Sequence, residues 1–247
     1  MFQRPESFDN TSNRRCTRGA DVTNSFGRSI RYLLFDSNGV STRAISFFGA
    51  ISALFTTVAS SQDLRDWNEC IGREGAIVDL VTHGCTAVIE AAQEGPVKLA
   101  LAFNNRGVAR RLQGEYDLAL QDYNEAIRLN PISAVQFNNR GVIYRIKGNY
   151  DQAIADYSQA IALRNEYPVA YYNRALAYAD KGAFDSALAD FAIVLRFDAR
   201  NALALYARGL VLLKNGDAEV GRRDIDAAKS INPGIADQYD HSETPMR

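Results

Sequence analysis

Four arginines, Arg106, Arg140, Arg174 and Arg208, stand 34 residues apart, and Asp122, Asp156, Asp190 and Asp224 follow them at a constant offset of 16. Two kinds of chemistry suit this set. A ladder of guanidinium groups could bind an acidic ligand, each gripping a carboxylate through parallel N–H donors. Alternatively, each arginine folds onto the aspartate of its own repeat, because an unpaired guanidinium is costly to bury. Acids that recur in register with the arginines favour the internal pairs. A second chemical set is Cys70, His83 and Cys85. His83 and Cys85 lie two residues apart on a predicted helix, a spacing that turns side chains away from each other. A thiolate–imidazole pair would then need His241, in the polar tail, to fold back. A zinc site of two cysteines and two histidines fails for the same reason and has unsuitable spacing. No glycine-rich phosphate loop follows a strand pattern. The expectation is therefore no enzyme, no metal and no cofactor.

The elements that position these residues repeat at the same interval. "AFNNRGVARRLQG" (102–114) recurs as "QFNNRGVIYRIKG" (136–148), "AYYNRALAYADKG" (170–182) and "ALYARGLVLLKNG" (204–216). "YDLALQDYNEAIRL" (116–129) recurs as "YDQAIADYSQAIAL" (150–163) and "FDSALADFAIVLRF" (184–197). Apolar residues at three- and four-residue steps make each segment a one-sided helix. Gly114, Gly148, Gly182 and Gly216 sit between the two helices, where a helix ends in the left-handed conformation. Ala119, Ala153 and Ala187 are small where helices must approach, and Tyr123, Tyr157 and Phe191 fill the space beside them. A fixed period of this length marks a solenoid, in which each unit buries its apolar face by stacking on its neighbours.

These residues resemble the tetratricopeptide repeat. Phe103, Gly107, Ala119, Tyr123, Ala126 and Pro131 fill its pattern once, and Phe137, Gly141, Tyr144, Ala153, Tyr157 and Ala160 fill it again. The similarity covers residues 96–233 as four repeats, about 100–133, 134–167, 168–201 and 202–233. The last is atypical, with Ala218, Gly221 and Ile225 at positions of aromatic, alanine and aromatic. The resemblance implies an all-α, right-handed superhelical solenoid whose first helices line a concave face. On that register the groove residues are Leu101, Asn104, Val108 and Arg111; Val135, Asn138, Val142 and Arg145; Val169, Tyr172 and Leu176; and Leu203, Tyr206 and Leu210. Such a face suits a peptide with an apolar side, with Arg111 and Arg145 placed to hold a carboxylate. Asn138 and Tyr172 are expected to contact the partner without supporting the fold. The lysine clamp of chaperone adaptors has valines at its key positions.

Ahead of the repeats, "RAISFFGAISALFTTVASS" (43–61) has the layout of a secretory signal peptide: an arginine, a 15-residue apolar run and small residues. The run is short for a membrane span, which needs about 20 residues, so no stable span is expected after cleavage. Residues 1–39 lack periodicity and are expected to be a disordered leader or a mis-assigned start, with Val40 beginning a signal peptide over 40–60. Two cysteines in a mature exported chain fit a disulfide better than a redox site, so Cys70 and Cys85 are expected to pair. Stepping back 34 residues from Ala119 lands on Cys85, so 85–92 reads as the second helix of a degenerate capping repeat (61–95), with Cys70 in a loop. "WNEC…CTAVIEA" is also similar to the cap ahead of such repeats in secreted Gram-negative proteins. Residues 234–247 read as a short cap and polar tail, with Ile235 and Tyr239 on one face.

A net charge of −1 argues against a general nucleic-acid binder, which would need a basic face. The expected function is a non-enzymatic, periplasmic or secreted scaffold for a protein or peptide partner. The alternative is a cytoplasmic scaffold or chaperone adaptor.

Overall fold

Every repeat must turn its chain sharply between two helices, and the sequence supplies the means. Gly114, Gly148, Gly182 and Gly216 have φ of 78°, 75°, 82° and 97°, values that only glycine adopts freely. The residue after each glycine donates its amide to a carbonyl five residues back: Glu115 to Arg110, Asn149 to Tyr144, Ala183 to Tyr178 and Asp217 to Leu212. These bonds satisfy carbonyls that the helix end leaves open. Helix starts are marked as clearly. Pro96 and Pro168 occupy first-turn positions, and the Asn201 side chain accepts a hydrogen bond from the Ala204 amide.

The structure, a computed structural model, describes residues 61–72 and 78–243. The readings made for residues 1–60, including the leader and signal peptide, lie outside these residues, as does the end of the tail. The described residues form α1 (Ser61–Ile71), α2 (Val78–Ala91), α3 (Pro96–Leu112), α4 (Tyr116–Leu129), α5 (Ala134–Ile146), α6 (Tyr150–Leu163), α7 (Pro168–Asp180), α8 (Phe184–Phe197), α9 (Ala202–Asn215), α10 (Ala218–Ile231) and α11 (Ile235–Glu243). Helices pair as hairpins from α1–α2 to α9–α10, and the second helix of each hairpin also touches the first helix of the next.

Curvature follows from a difference between the two helices. First helices of neighbouring hairpins touch (α3 with α5, α5 with α7, α7 with α9), whereas the second helices α4, α6, α8 and α10 do not touch one another. The stack is tighter along its first helices, which therefore form the inner face of a helical solenoid.

Inside each hairpin a small residue meets a large one. Ala119, Tyr123, Ala153, Tyr157, Ala187 and Phe191 are fully buried. A Cβ added at Gly107 would lie 2.8 Å from the Tyr123 ring, and one at Gly141 would lie 2.7 Å from Tyr157. The glycines let the ring sit flush on the facing helix. The α9–α10 hairpin lacks the ring and brings backbones together instead: a Cβ at Gly221 would lie 2.7 Å from the Gly209 carbonyl oxygen.

One element differs from the sequence reading. Cys70 sits on a helix, α1, and not in a loop. Leu64, Trp67 and Ile71 fall at three- and four-residue steps, so the segment has the one-sided pattern of a helix despite lacking the 34-residue register.

Candidate binding groove and the network beneath it

The four arginines emerge from first helices and reach the second helix of their own hairpin. Arg106 donates Nη2 to Asp122 Oδ1 at 2.7 Å and Nε to Oδ2 at 3.1 Å. The same two-pronged contact joins Arg140 to Asp156 (2.7 and 2.8 Å), Arg174 to Asp190 (both 2.8 Å) and Arg208 to Asp224 (2.9 and 2.6 Å). Arg110 adds a second guanidinium to Asp122 at 2.8 Å. The hydrogen bonds to Asp156 and Asp190 hold Arg140 and Arg174 above the ordinary arginine pKa, outweighing the opposing cost of burial. These arginines are spent internally and do not form an open ladder for an acidic ligand.

The remaining nitrogen of the first three guanidiniums links hairpins. Arg106 Nη1 reaches Thr86 Oγ1 at 3.2 Å, Arg140 Nη1 reaches Asn124 Oδ1 at 2.8 Å and Arg174 Nη1 reaches Ser158 Oγ at 3.0 Å. Aromatic rings flank the same groups: Phe103 beside Arg106, Phe137 and Tyr144 beside Arg140, Tyr171 and Tyr178 beside Arg174. Ring faces attract the cation and shield it from water.

A chain of amides runs along the inner face. Asn173 Nδ2 donates to Asn138 Oδ1 (2.9 Å), Asn138 to Asn139 (3.5 Å), Asn139 to Asn104 (3.0 Å) and Asn104 to Asn105 (3.2 Å). Asn105 then donates to the Cys70 carbonyl oxygen at 3.2 Å. Asn104 and Asn138 are only 7% and 5% exposed. Sequence reasoning missed Asn105, Asn139 and Asn173; the asparagine before each of the first three arginines, in "FNNRG" twice and "YYNRA" once, was the available signal. The network corrects the expectation for Asn138, which supports the fold.

Above these amides, α3 presents Leu101 from its second turn and α5 and α7 present Val135 and Val169 from their first turns; the three are 42%, 42% and 53% exposed. Of the other groove candidates, Val108 and Val142 pack partly against Tyr123 and Tyr157. Leu176 is buried in the core with Phe191 and Val194, so it is no groove wall; the α7–α8 hairpin encloses it. Tyr172 meets Phe191 edge-on at 5.8 Å. Leu203 and Tyr206 pack beneath α11, where Tyr206 lies 5.3 Å from Tyr239, while Leu210 is half-buried. Arg145 pairs with Asp180 of the next hairpin at 2.7 Å. Arg111 reaches the buried Tyr123, whose pKa burial raises despite the nearby cation.

At the N-terminal end a disulfide joins Cys70 to Cys85, so neither carries a thiol. Both are fully buried, with Trp67, Val81, Val88 and Ala102 around them. His83 stands 3.7 Å from Glu69. At the other end, buried Ile235 of α11 packs on Leu205 and Ala228. No described helix is long and apolar enough to cross a membrane.

Known proteins match this arrangement in both sequence and shape. Tetratricopeptide-repeat families match residues 100–132, 141–182 and 172–234. No curated protein matches the chain. Among solved structures, MamA is 20% identical and superposes with a TM-score of 0.57 over 65% of this chain and 91% of its own. MamA from Desulfovibrio magneticus RS-1 is 13% identical, with a TM-score of 0.60 over 75% and 98%. YrrB, described as a repeat protein with an unusual peptide-binding site, is 19% identical, with a TM-score of 0.55 over 68% and 84%. At these identities the likeness is one of fold. Residues 100–234 of this chain belong to the tetratricopeptide-repeat family.

Proposed function

We propose that the chain is an exported, non-enzymatic scaffold that seats a segment of a partner protein on the inner face formed by α3, α5 and α7. One observation carries this reading: Leu101, Val135 and Val169 stand exposed in a single column, one per hairpin, on the face that the curvature encloses. Scattered apolar residues on a surface need no explanation, but a column in register offers contiguous anchoring. The polar residues around it are bound to each other, which leaves the column as the distinctive feature. YrrB is described as binding peptide on a related fold, which agrees with the reading. Export is supported by the paired cysteines, since disulfides persist in oxidising compartments, and by the signal-like sequence at 43–61.

Capture from a periplasmic fraction tests the groove. The partner set held by the wild-type chain should be lost by the Leu101→Glu, Val169→Glu double variant while circular dichroism stays helical. Equal capture by both would place the binding face elsewhere. Export is tested by fractionation with N-terminal sequencing: a mature chain beginning near Ser61 is expected. A chain retained in the cytoplasm with free thiols at Cys70 and Cys85 would overturn it.

A further inference from the structure

We propose that the occupant of the groove is an amphipathic helix, with apolar anchors at every seventh residue and an acidic residue on one flank; this rests on the groove reading above. An extended segment needs hydrogen-bond partners for its backbone, since buried amides and carbonyls are costly to leave open. The inner face does not supply them. Asn104, Asn105, Asn138, Asn139 and Asn173 spend their side-chain amides on one another and on the Cys70 carbonyl, and Asn104 and Asn138 are buried besides. What remains for a ligand at Leu101, Val135 and Val169 is apolar surface without directional groups. A helix fits such a surface because its backbone is already satisfied.

Spacing agrees. Packed helix axes lie about 8–10 Å apart, so a ligand running across α3, α5 and α7 meets a new anchor point at about that interval. Seven residues of helix rise about 10.5 Å, which puts successive anchors on one face. Charge gives the flank. Arg145 is neutralised by Asp180, but Arg111 has no ion pair among the described residues, and the position equivalent to Asp180 one hairpin earlier is Ile146. Arg111 lies about 15 Å along α3 from Leu101, slightly more than the diameter of a helix with its side chains. Its guanidinium, which reaches Tyr123 and faces no acid among the described residues, carries the uncompensated positive charge at that end of the face.

The experiment is a selection of random displayed peptides of about 18 residues, long enough for three anchors, on the full chain, with counter-selection on the Leu101→Glu, Val169→Glu variant. Enriched peptides should carry apolar residues at seven-residue steps and an acidic flank, and should become helical on binding. A central proline should weaken them about a hundredfold, the scale of its penalty inside a helix. Arg111→Glu should shift selection toward basic flanks. Enriched peptides that contain proline or alternate at every second residue, and still fail on the double variant, would overturn the helix and leave the groove reading standing. Absence of any peptide favouring the wild-type chain over the double variant would overturn both.

Discussion

The first three repeats and the fourth hold the same ion pair in different surroundings. In the first three, each arginine is fixed by an aspartate, by at least one aromatic ring and by a hydroxyl or amide on the preceding second helix. In the fourth, Arg208 keeps Asp224, but Leu205 and Leu212 stand where the rings were and Ala192 stands where Asn124 and Ser158 were. The amide chain stops there too, since Tyr206 and Ala207 replace the asparagines. Stability in the fourth repeat comes instead from the close Gly209–Gly221 backbone approach and from α11. The same intrarepeat bond is therefore a link in a connected network at one end and a local clasp at the other.

Removing the acid separates the two settings. Asp156→Ala should cost about 3–5 kcal/mol, the penalty for leaving a buried charge unpaired. Asp224→Ala, whose pair is more exposed, should cost about 2 kcal/mol by the same reasoning. Urea unfolding followed by circular dichroism measures both, and equal losses would contradict the contrast. At the opposite end, Cys70→Ala with Cys85→Ala should remove about 3 kcal/mol. The loss should appear as faster hydrogen exchange in α1 and α2 and leave α9 and α10 unchanged; a uniform change would mean the array melts as one unit.

Asn138→Ala interrupts the amide chain at its middle and should cost about 1–2 kcal/mol, the range for a buried hydrogen-bonded group. Exchange should rise on both α5 and α7, since Asn138 accepts from Asn173. Lys147→Ala removes only the exposed contact to Asp117 and should change stability by less than about 1 kcal/mol. A larger effect would promote these outer contacts to structural links.

Contacts inside one repeat follow the period and can be read from sequence. Arg140 and Asp156 recur together because both belong to one hairpin, and the glycine turns are visible because no other residue suits them. Contacts between repeats obey a different arithmetic. Asn139 meets Asn104, Asn173 meets Asn138 and Arg145 meets Asp180 at offsets of 35, while Lys147 meets Asp117 at 30. That stagger is set by how neighbouring hairpins wind on each other, which packing decides and a period of 34 does not encode. Asn104, Asn138 and Leu176 consequently read as groove residues. Helix α1 escaped notice for a related reason: it has helical spacing but no copy elsewhere to align with.

The amide chain also has a direction. Asn105, Asn139 and Asn173 each donate to an acceptor on an earlier hairpin, as do Arg106, Arg140, Arg174, Lys147 and Lys181, with Arg145 running the other way. Nor does any described helix touch another more than two places along the chain, so the first and last need never find each other. Chains with such local contacts fold fast. Each later hairpin thus carries donors for acceptors on the hairpin before it, and the chain of amides ends on the Cys70 carbonyl oxygen of the disulfide-linked pair.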